Sequence, residues 1–156
     1  MFFIAACAPW TCLNAQNQAN GAARACPAPS DMKAVALHGR WAVRFTKPPA
    51  GLPERAVMRL RRHAEFSESL AGTVNRQIGK SQLAPGHAAQ AALAGDLEDG
   101  MLLLDESSDN VSITGTWNGE MRPGSCGKVY QGVWKDTSSS APADAADVAF
   151  TLTRLP

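Results

Sequence analysis

The chain has 156 residues, which is enough for one domain of ordinary size and too few for two. Its formal net charge of +1 gives no global field that favours nucleic acid or an anionic membrane as a partner. The charges are unevenly distributed, because residues 31–80 hold ten Lys and Arg against four Asp and Glu, whereas residues 96–147 hold three against ten. We expect opposite walls of one domain to carry opposite charge, the alternative being a charged patch that steers a partner.

Residues 1–25 open apolar and then become polar and rich in alanine. An apolar run of about ten residues followed by small residues is typical of a secretory signal, since a membrane span needs about twenty. Small residues precede two possible cleavage points, after Ala15 and after Ala25, as is typical of a secretory signal. The alternative is Ile4-Ala5-Ala6-Cys7, which resembles a bacterial lipoprotein box with Cys7 acylated, although only three residues precede it. We expect a periplasmic or secreted bacterial protein, or else a membrane-anchored lipoprotein, with no transmembrane span.

The domain left after removal of this export segment, residues 26–156, keeps two cysteines, Cys26 and Cys126. An even number of cysteines in an exported chain predicts a disulfide, which would here fasten the start of the domain to a Gly- and Pro-rich loop. Free or reactive thiols are the alternative. A zinc site requires more Cys or His residues at ligand spacing, so we expect no metal and no cofactor.

Alternation of apolar and polar residues predicts strands along most of the domain, and no amphipathic helix of twelve or more residues is apparent. Asp99-Gly100 between two apolar runs predicts a tight hairpin turn, and residues 76–88 are expected to form a loop. Eight segments at hairpin spacing indicate an antiparallel meander. They are residues 39–46, 56–61, 69–76, 88–97, 101–107, 111–118, 128–136 and 147–155.

Glycine precedes a bulky apolar residue by two positions in five of these segments, beginning with Gly39-Arg40-Trp41. In a strand such a step places both residues on one face, and the sixth segment is expected to turn Val111, Ile113, Gly115 and Trp117 to the same side. Small and large residues alternate in this way inside small closed barrels. The pattern therefore predicts an all-β, eight-stranded, up-and-down barrel, with a β-sandwich as the alternative.

The first-strand Gly39-Arg40-Trp41 matches the lipocalin motif, and residues 70–74 and 113–117 are similar to the Gly-containing strands of avidin-type chains. The domain therefore resembles the calycin group of small barrels. That resemblance implies either a carrier of small ligands or, as in some bacterial barrels, an inhibitor of secreted proteases. In a carrier, Trp41, Trp117 and Trp134 would line the ligand cavity. In an inhibitor, the barrel would be filled, and residues 27–36 or 119–128 would contact the partner.

Motifs of catalysis are absent or incomplete. Gly79-Lys80-Ser81 lacks the earlier glycine of a phosphate-binding loop, and Gly124-Ser125-Cys126-Gly127 does not have the spacing of a nucleophile elbow. The histidines are isolated along the chain, and Arg59, Arg61 and Arg62 have no interleaved aromatic residues for nucleic-acid stacking. Two sets of residues remain as candidates for chemistry: the histidines His38, His63 and His87, and an acidic group on predicted loops, Glu98, Asp99, Asp105, Glu106 and Asp109.

These patterns favour a non-enzymatic, exported barrel that binds a small apolar ligand or an envelope protein such as a hydrolase that it inhibits. A structural envelope protein or lipoprotein with no ligand is the first alternative. An enzyme that uses loop carboxylates or histidines at the barrel mouth is the second.

Overall fold

The protein is described by a computed structural model, which covers residues 26–76 and 88–156. Eight antiparallel strands pair in chain order and close into a barrel when β8 pairs with β1. The predicted barrel is thus confirmed, and the sandwich is excluded. The strands are β1 Gly39–Phe45, β2 Arg55–Arg62, β3 Leu70–Asn75, β4 Gln90–Glu98, β5 Met101–Ser107, β6 Gly115–Met121, β7 Val129–Asp136 and β8 Val148–Arg154.

Up-and-down topology places alternate connections at opposite ends of the barrel. One end, here named the loop end, carries the connections 46–54, 108–114 and 137–147, and β3 ends and β4 begins there. The other end, here named the arm end, carries the connections 63–69, 99–100 and 122–128, together with residues 26–38, which we call the N-terminal arm. The arm contains two short 3-10 helices, Pro29–Asp31 and Ala34–Leu37. No helix in the described ranges is long and apolar enough to cross a membrane.

The turn between β4 and β5 has the predicted hairpin geometry. Asp99 and Gly100 have φ angles of 47° and 83°, the left-handed values that a tight two-residue hairpin turn requires. Some of the sequence predictions concern residues that the structure does not describe, namely residues 1–25 with Cys7, most of the loop 76–88, and His87.

The sixth strand begins later than its sequence pattern predicts. Val111 and Ile113 were expected to face inward, but they lie outside β6 and expose 89% and 53% of their surface. Backbone N–H groups of Val111 and Ser112 donate to the Asp109 carboxylate at 2.9 and 2.8 Å. Such a side-chain turn competes with strand pairing, so this segment remains a loop.

Inward-facing residues of all eight strands form one apolar core. Of the five glycines in the sequence pattern, Gly115 makes room for an aromatic ring, whereas a Cβ atom at Gly72, Gly95 or Gly132 would meet a backbone carbonyl of the neighbouring strand. A Cβ atom at Gly115 would lie 2.6 Å from Nε1 of Trp134 on the neighbouring strand, so a larger residue cannot occupy this position without moving the indole.

The outer walls carry charges of opposite sign, as the uneven charge distribution predicts. On β1 and β2, Arg40, Arg44, Arg55 and Arg59 are exposed. The other side of the ring carries carboxylates on the outer faces of β4, β5 and β6, namely Asp96, Glu98, Asp105 and Glu120.

Candidate functional site

The three inward tryptophans occupy two different levels of the barrel. Trp41 lies on β1 near the arm end, where its ring meets Tyr130 edge-on at 5.8 Å. Trp117 and Trp134 are directly opposite each other on β6 and β7, with ring centroids 6.3 Å apart. All three are buried. The fold therefore brings two of the predicted ligand residues together and leaves the third at a separate level.

Aromatic side chains fill the barrel around Trp117. Its ring lies 5.5 Å from Phe45 and 5.1 Å from Phe150, and Phe45 also contacts Trp134 at 6.0 Å. An eight-stranded barrel is only wide enough for its own side chains or one small ligand. Here these rings and the aliphatic residues around them occupy the interior.

A buried ion pair lies next to the two tryptophans. Arg76 follows the last residue of β3, and Glu106 lies on β5; their side chains are 0% and 1% exposed. The guanidinium donates from Nη1 and Nη2 to the two carboxylate oxygens at 2.7 and 2.6 Å. Such a two-point pair fixes the orientation of both groups.

Glu106 also accepts hydrogen bonds from both indoles. Nε1 of Trp117 and Nε1 of Trp134 donate to its Oε2 atom at 3.0 and 3.2 Å. The Arg76 guanidinium lies 6.0 and 5.5 Å from the centroids of the same rings, within the range of a cation–π contact. One carboxylate thus satisfies four N–H donors, while the Arg76 Nε atom has no hydrogen-bond partner among the described residues.

Sequence reasoning missed this network, although its signal is present in the alternation. Glu106 continues the inward series of Leu102 and Leu104, and Arg76 continues that of Gly72 and Val74. The sequence interpretation instead placed Glu106 in an acidic cluster on loops. That placement is wrong, because Glu106 faces the core within β5 while Asp105 faces outward.

At the arm end, the second 3-10 helix closes the barrel over Trp41. Nε1 of Trp41 donates to the carbonyl oxygen of Leu37 at 2.8 Å. The Arg154 guanidinium lies 5.5 Å from the Trp41 ring and donates to the carbonyl oxygens of Ala36 and His38. These contacts fasten the arm to the first and last strands, and Trp41 and Leu37 are both fully buried there.

A disulfide joins Cys26 of the arm to Cys126 of the loop between β6 and β7, with the two Cα atoms 4.6 Å apart. Glycines allow the rest of the arm to lie close to the barrel. A Cβ atom at Gly100 would be 2.5 Å from the Cβ atom of Pro29, and one at Gly127 would overlap the Met32 side chain. The two segments predicted to contact a partner, 27–36 and 119–128, therefore lie side by side, although residues 119–121 belong to β6.

The loop end carries a pocket of about 370 Å³ bordered by Trp134. Its apolar lining includes Pro49, Val148 and Pro142, and its charged lining includes Lys47 and Asp144. The volume falls within the range of small-molecule sites. Of the three tryptophans predicted to bind a ligand, Trp134 is the one that borders this pocket.

The loop between β5 and β6 is held in shape by Asp109. Hydrogen bonds from the backbone N–H groups of Ser112 and Val111 lower the pKa of the Asp109 carboxyl to about 2. Ser107 also donates to this carboxylate at 3.1 Å. The ordered turn presents the exposed Val111 side chain to solvent.

The other candidates for chemistry are spread over the surface. His38 and His63 both lie at the arm end, where the ring of His63 accepts hydrogen bonds from the backbone of Glu65 and Phe66. Within residues 26–76 and 88–156, no group of three or more His, Cys, Asp or Glu side chains is arranged to hold a metal ion.

Burial raises the pKa of Tyr130 to about 12.

Comparisons with known proteins add only a general likeness. No family model matches the chain, and no curated protein matches it either. Among solved structures, the chain is similar to a redesigned β-barrel at 11% sequence identity and a TM-score of 0.45. The similarity covers 80% of this chain and 96% of the designed one. The fold assignment therefore depends on the strand pairing described above.

Proposed function

We propose that this protein is an exported, non-enzymatic barrel of the bacterial cell envelope that binds another protein through its outer surface. The filled interior is the observation that carries this proposal, because aromatic rings and a buried ion pair occupy the space that a lumen ligand would need. Among calycin-like barrels, this arrangement favours a protein-binding member over a carrier. A secreted or periplasmic hydrolase that the barrel inhibits is the partner class we propose.

The arm end is the contact surface that the structure supports best for this role. The disulfide fastens the N-terminal arm to the loop 122–128, so both segments are presented on a rigid base. Val35 in the arm exposes 67% of its surface, and Phe66 in the loop between β2 and β3 exposes 61%. Exposed apolar side chains on an ordered backbone lose little entropy on binding, and aromatic residues are enriched at protein interfaces.

The proposal is tested by measuring inhibition of purified serine, cysteine and zinc proteases by the purified protein. Val35→Asp places a charge on the exposed apolar surface of the arm and is expected to weaken inhibition at least about tenfold, a loss of about 1.4 kcal/mol in binding free energy. Val111→Asp is the matched control, because Val111 is also an exposed valine but lies at the loop end.

Circular dichroism spectra and thermal unfolding of both variants establish that the barrel is intact. Equal inhibition by the wild type and the Val35→Asp variant would reject the arm end as the contact surface. No inhibition of any protease class by the wild type would reject the inhibitor function itself.

The pocket beside Trp134 supports a second candidate function, the binding of a small apolar ligand at the loop end rather than in the lumen. Titration with a fluorescent apolar probe tests it, with Ala146→Trp as the variant that fills the pocket. Binding that is lost in Ala146→Trp and retained in Val35→Asp would support this second function. Binding unaffected by Ala146→Trp would reject it.

Export is the part of the proposal that depends on residues 1–25. Mass spectrometry of the protein isolated from the source bacterium is expected to show an N-terminus after Ala15 or Ala25. A lipid-modified Cys7 would instead establish a membrane-anchored lipoprotein. The unprocessed chain recovered from the cytoplasm would reject export.

A further inference from the structure

The outer face of β1 and β2 carries arginines in directly opposed pairs. Arg40 lies opposite Arg59, Arg44 lies opposite Arg55, and an apolar pair, Ala42 and Val57, separates them. Opposed side chains on neighbouring strands have Cβ atoms about 4.5–5.5 Å apart. This face, which we call the arginine wall, therefore presents two guanidinium pairs on either side of an apolar centre.

Like charges in opposed positions destabilise a sheet, so the arrangement works against the stability of the isolated barrel. Glu54 offsets it at one position, through an ion pair with Arg44 at 2.9 Å. Across residues 26–76 and 88–156, no ion pair neutralises Arg40, Arg55 or Arg59. Carboxylates from outside the barrel would lower the repulsion, and arginine binds carboxylates in a two-point geometry.

The opposite side of the ring carries a complementary pattern, which we call the acidic wall. Along β5, Asp105, Leu103 and Met101 face outward in succession. Glu98 on β4 and Glu120 on β6 both lie opposite Met101. Carboxylates therefore flank the apolar Leu103 on both sides along the strand.

The two walls have the same spacing. Arg40 and Arg44 are four positions apart on the arginine wall. On the acidic wall, Met101, at the level of the two glutamates, and Asp105 are also four positions apart. At 3.3–3.4 Å per residue, both intervals are about 13 Å. Each wall thus has two charged levels about 13 Å apart with an apolar side chain between them, although Asp96 and Asn118 lie beside Leu103 at the middle level of the acidic wall.

The acidic wall also contains a place for an arginine side chain. A shallow depression of about 240 Å³ lies between Asp96 and Asp105 and is lined by Leu103, Thr116 and Asn118. Gly95 borders the same depression, and a Cβ atom there would overlap the backbone carbonyl oxygen of Leu103. The depression therefore combines carboxylates with polar hydrogen-bond acceptors, the chemistry that a guanidinium requires.

We propose that the arginine wall of one copy of this protein docks on the acidic wall of a second copy. Ala42 and Val57 meet Leu103, and the guanidinium pairs meet the carboxylates of Asp105 at one level and of Glu98 and Glu120 at the other. This self-association is independent of the partner-binding function proposed above, since the arm end takes no part in it.

The geometry of the walls determines the form of the assembly. Because the two contact faces differ and lie on opposite sides of the barrel, the contact is heterologous and adds copies head to tail instead of closing as a dimer. A wall only two or three strands wide belongs to the small, transient class of interfaces. The closed barrel exposes no strand edge, so the contact depends on side chains alone.

Sedimentation velocity of the purified protein over a concentration series tests the proposal. In about 0.01 M salt, where charges interact over about 30 Å, the weight-average mass is expected to rise with concentration beyond that of a dimer. In about 1 M salt, where this distance falls to about 3 Å, the protein is expected to be monomeric.

Neutral variants of each wall identify the contact. Arg40→Gln/Arg59→Gln and Glu98→Gln/Asp105→Asn are each expected to weaken association at least about tenfold. A mixture of the two is expected to form a one-to-one complex and nothing larger, because each variant retains one intact wall. Each wall variant has a control that changes the net charge by the same amount outside the walls. The control for the arginine wall is Arg122→Gln/Lys128→Gln, and the control for the acidic wall is Asp144→Asn/Asp147→Asn. Both controls should associate as the wild type does.

Three results would overturn the proposal. They are a wild type that is monomeric at every concentration in low salt, a mass that levels off at the dimer, and wall variants that associate as strongly as their controls. Unfolding curves of all four variants establish that a loss of association is not a loss of fold.

Discussion

Arg76 and Glu106 form a two-point ion pair at 2.7 and 2.6 Å in a barrel interior that is otherwise aromatic and aliphatic. The pair joins the end of β3 to β5, and its carboxylate also accepts hydrogen bonds from the indole N–H groups of Trp117 and Trp134. It therefore connects β3, β5, β6 and β7 through one group. The large desolvation cost of the two charges is offset only while all of these hydrogen bonds are made.

Replacing one member of this pair should be strongly destabilising. Glu106→Gln keeps the shape of the side chain but leaves the Arg76 charge buried without a counter-ion. We expect the free energy of unfolding to fall by about 3–5 kcal/mol, measured by urea denaturation. The matched control is Glu120→Gln on the outer face of β6, which should change it by less than about 0.5 kcal/mol.

Removing both charges should restore most of that stability. Arg76→Met/Glu106→Met replaces the pair with flexible apolar side chains, although the two indoles lose their acceptor. We expect the double variant to be more stable than Glu106→Gln. A double variant at least as unstable as the single one would show that the indole hydrogen bonds, rather than the charge pairing, dominate.

Gly115 should tolerate no side chain. The Cβ atom of Gly115→Ala would lie 2.6 Å from Nε1 of Trp134 and would move the indole away from Glu106. We expect a loss of about 1–3 kcal/mol in urea denaturation together with a change in tryptophan fluorescence. Gly124→Ala is the comparison, because nothing lies within 4 Å of that site and its φ of +73° adds only backbone strain. That variant should lose stability with an unchanged fluorescence spectrum.

The Cys26–Cys126 disulfide should contribute substantially to stability, because 100 residues separate the two cysteines. A closed loop of about this length corresponds to about 4.7 kcal/mol in the chain-entropy account, and measured values range from 0 to about 5. Cys26→Ser/Cys126→Ser should therefore lower the urea midpoint by the same amount as reductant lowers that of the wild type. A reductant effect that persists in the double variant would contradict this assignment.

Tyr130 is the only tyrosine of the chain, so absorbance at alkaline pH reports on it alone. Because burial raises its pKa from 10.0 to about 12, the phenol should ionise near pH 12 in the folded protein and near pH 10 in urea. The unfolded chain holds fewer protons than the folded one in this window. The contribution of the neutral phenol to the free energy of unfolding is therefore fully present below pH 10 and is lost as the pH rises towards 12.

Tyr130→Phe provides the control for that titration. The Tyr130 hydroxyl is buried and has no hydrogen-bond partner in the described part of the chain, so its removal leaves no group unsatisfied. We expect the variant to be as stable as the wild type at pH 7, or more stable, and to lose stability less steeply between pH 10 and 12. A folded wild type that titrates near pH 10 would show that the phenol is accessible to water.

Alternation along the sequence was sufficient to predict the strands, because an eight-stranded barrel has one buried and one exposed face throughout. Trp41, Trp117 and Trp134 all face inward as the period of two requires. The same pattern gave the wrong start for β6. Val111 and Ile113 fit the alternation, but the backbone N–H groups of Val111 and Ser112 donate to the Asp109 carboxylate instead of to a neighbouring strand.

The partners of inward polar residues were beyond prediction from one sequence. Arg76 and Glu106 are 30 residues apart, and nothing local indicates that they meet inside the barrel. A charged residue at an inward position was itself a signal, since burial of a charge requires a counter-ion. The identity of that counter-ion depends on how the strands are arranged around the ring, which the closed structure supplies.

The position of the disulfide has a mechanical consequence. Cys126 lies between β6 and β7, so the covalent loop that begins at Cys26 contains six strands and excludes β7 and β8. Tension applied to the N-terminus passes directly to Cys126 and cannot extend the chain between the two cysteines. Under load between the two termini, β7 and β8 are therefore the strands free to peel away, while the first six remain tethered as a unit.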